Sequence, residues 1–73
     1  FIFNGERYKI LKAEIGNGLG EIGEVLTDKL EIACGNNQSI KILEIQRQGK
    51  KSQKIGEFML GSQIKKGSFI TNA

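Results

Sequence analysis

Apolar and polar residues alternate over several short stretches of this chain, which is the pattern of β-strands with one buried face. The alternation predicts strands over residues 1–3, 7–15, 24–27, 30–34, 39–46 and 68–71. Residues with turn chemistry separate the strands, and Asn4-Gly5 predicts a type I′ hairpin because both central positions of that turn need positive φ. Short, closely spaced strands predict a small β-barrel.

The alternation changes phase within two of these strands. Tyr8 and Ile10 share one face of the first long strand, whereas Leu11 begins a run of apolar residues on the opposite face. A similar change falls between Ile42 and Leu43 in the strand 39–46. Each change predicts a β-bulge or sharp bend, which a small barrel needs in order to curl.

After Gly49 the apolar spacing becomes that of a helix. The residues at positions i, i+3 and i+4 are Ile55, Phe58 and Met59. They predict one short helix near residues 53–60, for which Ser52 is a suitable N-cap and Gly61 a suitable left-handed C-terminal residue. The predicted fold is therefore mostly β, a barrel of five to six short strands with this helix.

Length and composition exclude several classes of function. The chain has 73 residues and no histidine, which excludes a His-containing triad or metal site within it. Its single cysteine, Cys34, cannot form an internal disulfide or a CxxC zinc site. The alternation places Cys34 inward and predicts a buried thiol, and a lone thiol favours a reducing cytosol. No apolar run approaches the ~20 residues of a membrane span. The apolar start at Phe1 suggests a piece of a longer polypeptide.

Charge is distributed unevenly along the chain. Residues 1–36 carry six acids and four bases, whereas residues 37–73 carry two acids and seven bases. Such a basic half predicts a surface that faces an anion, although a solvated charged surface has the same composition. The segment 47–54 is the most basic stretch, and it precedes the predicted helix as an exposed turn where cations can converge on phosphate. The bases of the second half are Lys41, Arg47, Lys50, Lys51, Lys54, Lys65 and Lys66.

The segment 18–23 matches GxGxxG, the glycine pattern of dinucleotide-binding turns. The preceding strand carries Lys9, Lys12 and Glu14, however, whereas the buried parallel strand of such a turn is almost wholly apolar. The chain is also too short for the rest of that sheet. We therefore interpret 18–23 as a glycine-rich loop.

Several motifs, in order and spacing, resemble the C-terminal domain of bacterial methionyl-tRNA formyltransferase. They are Gly23-Glu24-Val25-Leu26, the strands 30–35 and 40–46, Gly49-Lys50-Lys51, Glu57-Phe58 and Gly61. The resemblance covers nearly the whole chain. This sequence departs from the family at Gln53, where the family often has Met, and at Leu60, where it commonly has a basic residue.

The resemblance implies a single OB-like barrel domain over 1–73, attached to an N-terminal formyltransferase domain that lies outside this chain. The parent enzyme would transfer a formyl group from 10-formyltetrahydrofolate to initiator methionyl-tRNA in the bacterial cytoplasm. This domain would bind the tRNA as a monomer, with no catalytic residue, cofactor, metal or membrane contact of its own. Its candidate RNA-binding residues are Arg47, Lys50, Lys51 and Lys54, helped by Lys41, Lys65 and Lys66.

Other functions fit the same sequence. Related barrels follow formyltransferase domains that act on sugar nucleotides or folates, where the barrel is structural and binds no RNA. A free-standing OB-like translation factor is a third possibility, against which the apolar start and the scarcity of aromatic residues argue.

Overall fold

A computed structural model describes residues 1–62 and 64–71 of the chain. The elements are β1 (Ile2–Phe3), β2 (Glu6–Gly16), β3 (Glu31–Gly35), β4 (Gln38–Arg47), β5 (Ser52–Lys54) and α1 (Ile55–Gly61). The strands form one curled antiparallel sheet in the order β1-β2-β4-β3, and β5 pairs with β4. A mostly β fold with one short helix agrees with the predicted small OB-like barrel, and the fold class is confirmed.

The segments predicted as strands at 24–27 and 68–71 form isolated bridges. The bridged pairs are Ile2 with Thr71, Glu24 with Phe69 and Val25 with Ile32. The Ile2 amide donates to the Thr71 carbonyl at 2.8 Å, and the Thr71 amide donates back at 3.0 Å. These contacts connect the first strand with the last described segment and curl the sheet toward closure.

Both predicted phase changes are confirmed as irregularities in the pairing of β2 with β4. Lys12 pairs with Glu44, and the register shifts on either side of Lys12. Leu11 on β2 and Leu43 on β4 are therefore left without a cross-strand partner in this pairing. An extra residue bends its strand and increases the local twist, so these positions curl the longest pair of strands.

The core lies inside the curl and draws on every part of the chain. Its buried members are Tyr8, Val25, Leu30, Ile32, Ile42, Ile45, Phe58 and Ile64. The ring of Phe58 comes from α1 and meets that of Tyr8 edge-on, with centroids 5.6 Å apart. Aromatic pairs favour this arrangement, so the contact fixes the helix against β2.

Cys34 is exposed, and the prediction of a buried thiol is wrong. Ala33 pairs with Ser39 and Gly35 pairs with Gln38, so Cys34 is an extra residue opposite the two. Such a bulge turns the side chain out of the alternation from which its burial was predicted.

The predicted helix exists, but both of its predicted ends are wrong. Ser52 belongs to β5 and pairs with Gln46, so α1 begins after Lys54, which makes no side-chain capping bond. Gly61 is the last helical residue, and the extended Ser62 follows it in place of a left-handed glycine. Among residues 1–62 and 64–71, no helix is long and apolar enough to cross a membrane.

Candidate nucleic-acid interface

The turn between β4 and β5 presents two lysines to solvent. The Lys50 amide donates to the Arg47 carbonyl at 2.9 Å, and Gly49 adopts a φ of +79°. The Gln46 side-chain amide donates to the Lys50 carbonyl at 2.9 Å. Backbone and side-chain bonds thus fix the turn, while Lys50 and Lys51 are both exposed.

Arg47 is held in place by the residues around it. Its Nε lies 2.9 Å from the Glu6 Oε2, and its guanidinium carbon lies 5.9 Å from the centroid of the Tyr8 ring. The Tyr8 hydroxyl donates to the same Glu6 oxygen at 3.1 Å. Burial raises the pKa of Tyr8 above its ordinary value; the Glu6 carboxylate raises that pKa further, and Arg47 opposes the rise. Arg47 therefore has a defined orientation but shares its charge with Glu6.

Adjoining surface depressions surround this turn. One, of about 520 Å³, is lined by Arg47, Lys50 and Lys51, with Glu57 at its helix side. A second, of about 330 Å³, shares Arg47 and Lys50 with the first and adds Arg7. A third, of about 530 Å³, shares Arg7 with the second and adds Lys9. We call the cations along this surface the basic tract: Arg7, Lys9, Arg47, Lys50 and Lys51.

The other predicted RNA-binding residues lie outside the basic tract. Lys41 pairs across the sheet with Glu14 on β2 and with Glu31 on β3. Lys54 pairs with Glu44. Opposite charges directly across a sheet attract one another, so these two lysines face local acids.

Lys65 and Lys66 occupy a separate exposed turn. The Lys65 carbonyl accepts from the Ser68 amide at 3.0 Å, and the Gly67 amide donates to the Val25 carbonyl at 2.8 Å. These bonds attach the turn to the segment around Val25, on a different part of the chain from the β4–β5 turn.

Arg7 and Lys9 were not among the residues predicted from the sequence. Both belong to the half of the chain with more acids than bases, so charge counting gave no signal for them. The register of β2 on β4 pairs Tyr8 with Arg47 and Lys9 with Gln46, which carries Arg7 and Lys9 alongside the end of β4. The full basic tract is seen only when β2 and β4, which are far apart in the sequence, are paired in the sheet.

The glycine-rich segment 18–23 is a loop, as predicted, and the backbone amide of Gly18 points toward buried side chains. The Gly18 amide donates to the Glu31 Oε2 at 3.1 Å and to the Ser39 Oγ at 3.0 Å. The Gly18 amide, which a dinucleotide-binding turn would offer to pyrophosphate, is therefore already bonded to a carboxylate and a hydroxyl. Across residues 1–62 and 64–71, no group of three or more His, Cys, Asp or Glu side chains is arranged to hold a metal ion.

Comparison with known proteins identifies the family. The model of the family described as "Formyl transferase, C-terminal domain" matches residues 1–63. The chain belongs to this family. The resemblance found in the sequence is thereby confirmed. The match covers all the strands and the helix described above.

Relatives of this formyl transferase C-terminal domain share one name. The methionyl-tRNA formyltransferase of Pelagibacter ubique is 74% identical over 72 residues, which are 99% of this chain and 23% of that protein. That of Bradyrhizobium diazoefficiens is 45% identical over 65 residues, 89% of this chain and 21% of that protein. The methionyl-tRNA formyltransferase of Rhodopseudomonas palustris is 44% identical over 61 residues, which are 84% of this chain and 19% of that protein. The chain thus spans less than a quarter of the length of each of these relatives.

Proposed function

We propose that this chain is the tRNA-docking domain of a methionyl-tRNA formyltransferase. The observation that carries the proposal is the exposed pair Lys50 and Lys51 on a fixed turn, beside further cations of the basic tract. Lysine and arginine side chains bind nucleic-acid phosphates and position the RNA without reading its sequence. The names of the relatives supply the enzyme to which such a domain would belong.

In this proposal the parent is a cytoplasmic enzyme that transfers a formyl group from 10-formyltetrahydrofolate to initiator methionyl-tRNA. The N-terminal formyltransferase domain would bind the formyl donor and perform the chemistry. Residues 1–73 would form one domain, the barrel, which brings the tRNA to the N-terminal domain. The enzyme would act as a monomer. Lys41, Lys54, Lys65 and Lys66 would add phosphate contacts outside the basic tract, and the barrel would contribute no catalytic residue.

A salt titration of the 73-residue chain with initiator methionyl-tRNA tests the proposal. Binding should weaken steeply as salt rises, because each lysine–phosphate contact releases condensed counterions. The double variant Lys50→Ala, Lys51→Ala should lower the salt slope by roughly one unit per lost contact. The charge-matched control Lys12→Ala, Lys29→Ala lies outside the basic tract and should leave the slope unchanged.

Equal slopes for the two double variants would contradict the assignment of Lys50 and Lys51. If the chain does not bind tRNA even at low salt, the alternative of a structural barrel attached to a formyltransferase for sugar nucleotides or folates gains support. In the full-length enzyme, the Lys50→Ala, Lys51→Ala variant should raise KM for tRNA and leave kcat unchanged, because the barrel positions substrate and does not take part in the chemistry.

A further inference from the structure

The cleft that contains Arg7 and Lys9 is lined by apolar and polar residues together. Phe1, Tyr8 and Ile10 line it, and the rings of Phe1 and Tyr8 are stacked with centroids 5.2 Å apart. Arg7 and Lys9 also line this cleft, as described above for the basic tract. Its volume of about 530 Å³ is large enough for one nucleotide.

Two glutamines, Gln46 and Gln48, also line the cleft. Gln46 uses its side-chain amide on the Lys50 carbonyl, which leaves its side-chain oxygen as an acceptor. Gln48 is exposed, and its backbone amide donates to the Arg7 carbonyl at 3.1 Å, which fixes the backbone beside the cleft. Glutamine side chains carry donors and acceptors that match the edges of nucleobases.

We propose that this cleft binds one unpaired nucleotide of the RNA, a step that rests on the RNA-docking function proposed above. The base would lie against Phe1 and Ile10, with Gln48 and Gln46 at its polar edge. Arg7 and Lys9 would neutralise the flanking phosphate. Aromatic and apolar side chains with cations along the backbone are the usual means of holding single-stranded nucleic acid.

Charge favours a nucleotide over other occupants. The charged residues that line the cleft are Arg7 and Lys9, and no acidic residue lines it within the described part of the chain. The cleft shares Arg7 and Gln48 with the depression that contains Lys50, where Glu6 is paired with Arg47. An RNA strand bound at Lys50 would therefore pass Arg7 and Gln48 to place another nucleotide in the cleft.

The test is an NMR titration of the ¹⁵N-labelled chain with adenosine, adenosine 5′-monophosphate and inorganic phosphate in separate samples. Adenosine and its monophosphate should shift the amides of Lys9, Ile10 and Gln48 and the ring protons of Phe1, because a stacked base alters ring currents. Phosphate alone should shift the amides of Lys50 and Lys51 and leave the Phe1 ring unchanged.

Substitution of an uncharged residue tests the contact with the base, and substitution of a charged residue tests the contact with the phosphate. Gln48→Ala should weaken both nucleoside and nucleotide about two- to tenfold, because it removes a hydrogen bond and no charge. Lys9→Ala should weaken the monophosphate about two- to fivefold and leave adenosine unchanged. The exposed residues Gln38 and Lys12 do not line the cleft, so Gln38→Ala and Lys12→Ala are the matched controls.

The proposal is overturned if the monophosphate produces only the shifts seen with phosphate, or if each variant behaves like its control. It is also overturned if a blocked apolar tripeptide shifts the cleft amides and the nucleotides do not. These results are independent of the docking function. Salt-dependent tRNA binding without nucleotide shifts would reject the cleft alone, whereas nucleotide shifts without tRNA binding would reject the docking function.

Discussion

Arg47 and Glu6 form an ion pair across neighbouring strands, with the Arg47 Nε 2.9 Å from the Glu6 Oε2. The pair places an acid inside the basic tract and ties the hairpin that follows β1 to the end of β4. The side chains remain 42% and 50% exposed, so the ion pair itself contributes little to stability. Its main effect is to fix the orientation of the Arg47 guanidinium and to offset its positive charge with the negative charge of Glu6.

We expect Glu6→Gln to strengthen tRNA binding and to make it fall more steeply with salt concentration. The substitution removes the carboxylate that neutralises Arg47, so Arg47 can pair with an RNA phosphate. The free energy of unfolding should change by less than about 1 kcal/mol, since the pair is half exposed. Salt titrations and urea unfolding measure the two effects. Glu21→Gln, in the exposed glycine-rich loop outside the basic tract, is the control. Weaker binding by Glu6→Gln would mean that RNA requires the orientation Glu6 gives to Arg47.

The raised pKa of Tyr8 predicts a loss of stability in alkaline solution. The unfolded chain releases the tyrosine proton near its ordinary pKa of about 10, before the folded chain does. The stabilisation from this shift is therefore complete below about pH 10 and is lost as pH rises through the folded-state pKa.

Tyr8 is the single tyrosine of the chain, so its tyrosinate absorbance reports the folded-state pKa directly. Lysines titrate in the same range, and the variant Tyr8→Phe isolates the contribution of the tyrosine. The difference in unfolding free energy between the wild type and Tyr8→Phe should shrink as pH rises above about 10. A difference that stays constant with pH would contradict the prediction.

The exposed position of Cys34 predicts a reactive but structurally dispensable thiol. A thiol reagent should modify Cys34 in the folded protein, and Cys34→Ser should change the unfolding free energy by no more than about 0.5 kcal/mol. Ala33 is only 2% exposed, so Ala33→Cys in a Cys34→Ser background provides a buried control thiol that should be protected until unfolding. Equal protection of the two thiols would contradict the bulge at Cys34.

Gly23 is the glycine for which a substitution should be most costly. Its φ is +87°, and an added Cβ would lie 2.7 Å from the Ile70 carbonyl oxygen. We expect Gly23→Ala to destabilise the fold by about 1–3 kcal/mol in urea unfolding. Gly56→Ala, in α1 with nothing within 4 Å of an added Cβ, should instead stabilise by about 0.5–1 kcal/mol. If the two variants were equally stable, the close approach of Gly23 to Ile70 would be refuted.

Local chemistry was enough to predict much of the fold. Asn4 and Gly5 both have positive φ, as the predicted hairpin turn requires, and the apolar phase changes correctly located the irregularities at Leu11 and Leu43. The errors arose where tertiary pairing overrode local preference. Ser52 is a good N-cap by type, but its pairing with Gln46 places it in a strand before the helix begins.

The candidate site was less accessible to sequence reasoning. The exposure of Lys50 and Lys51 follows from their turn and was correctly expected. The ion pair of Arg47 with Glu6, and the position of Arg7 beside both, depend on a register between residues about forty positions apart. No local pattern encodes that register, because it results from the summed burial of the β2 and β4 faces.

The antiparallel bridge between Ile2 and Thr71 has a mechanical consequence. Because the bridge is antiparallel, tension that pulls Ile2 and Thr71 apart would open its hydrogen bonds one after another, as in a zipper. A sheared pair of strands must instead break all of its bonds together. Pulled between these two residues, the sheet would therefore open first at this bridge, before the long β2–β4 pair bears any load.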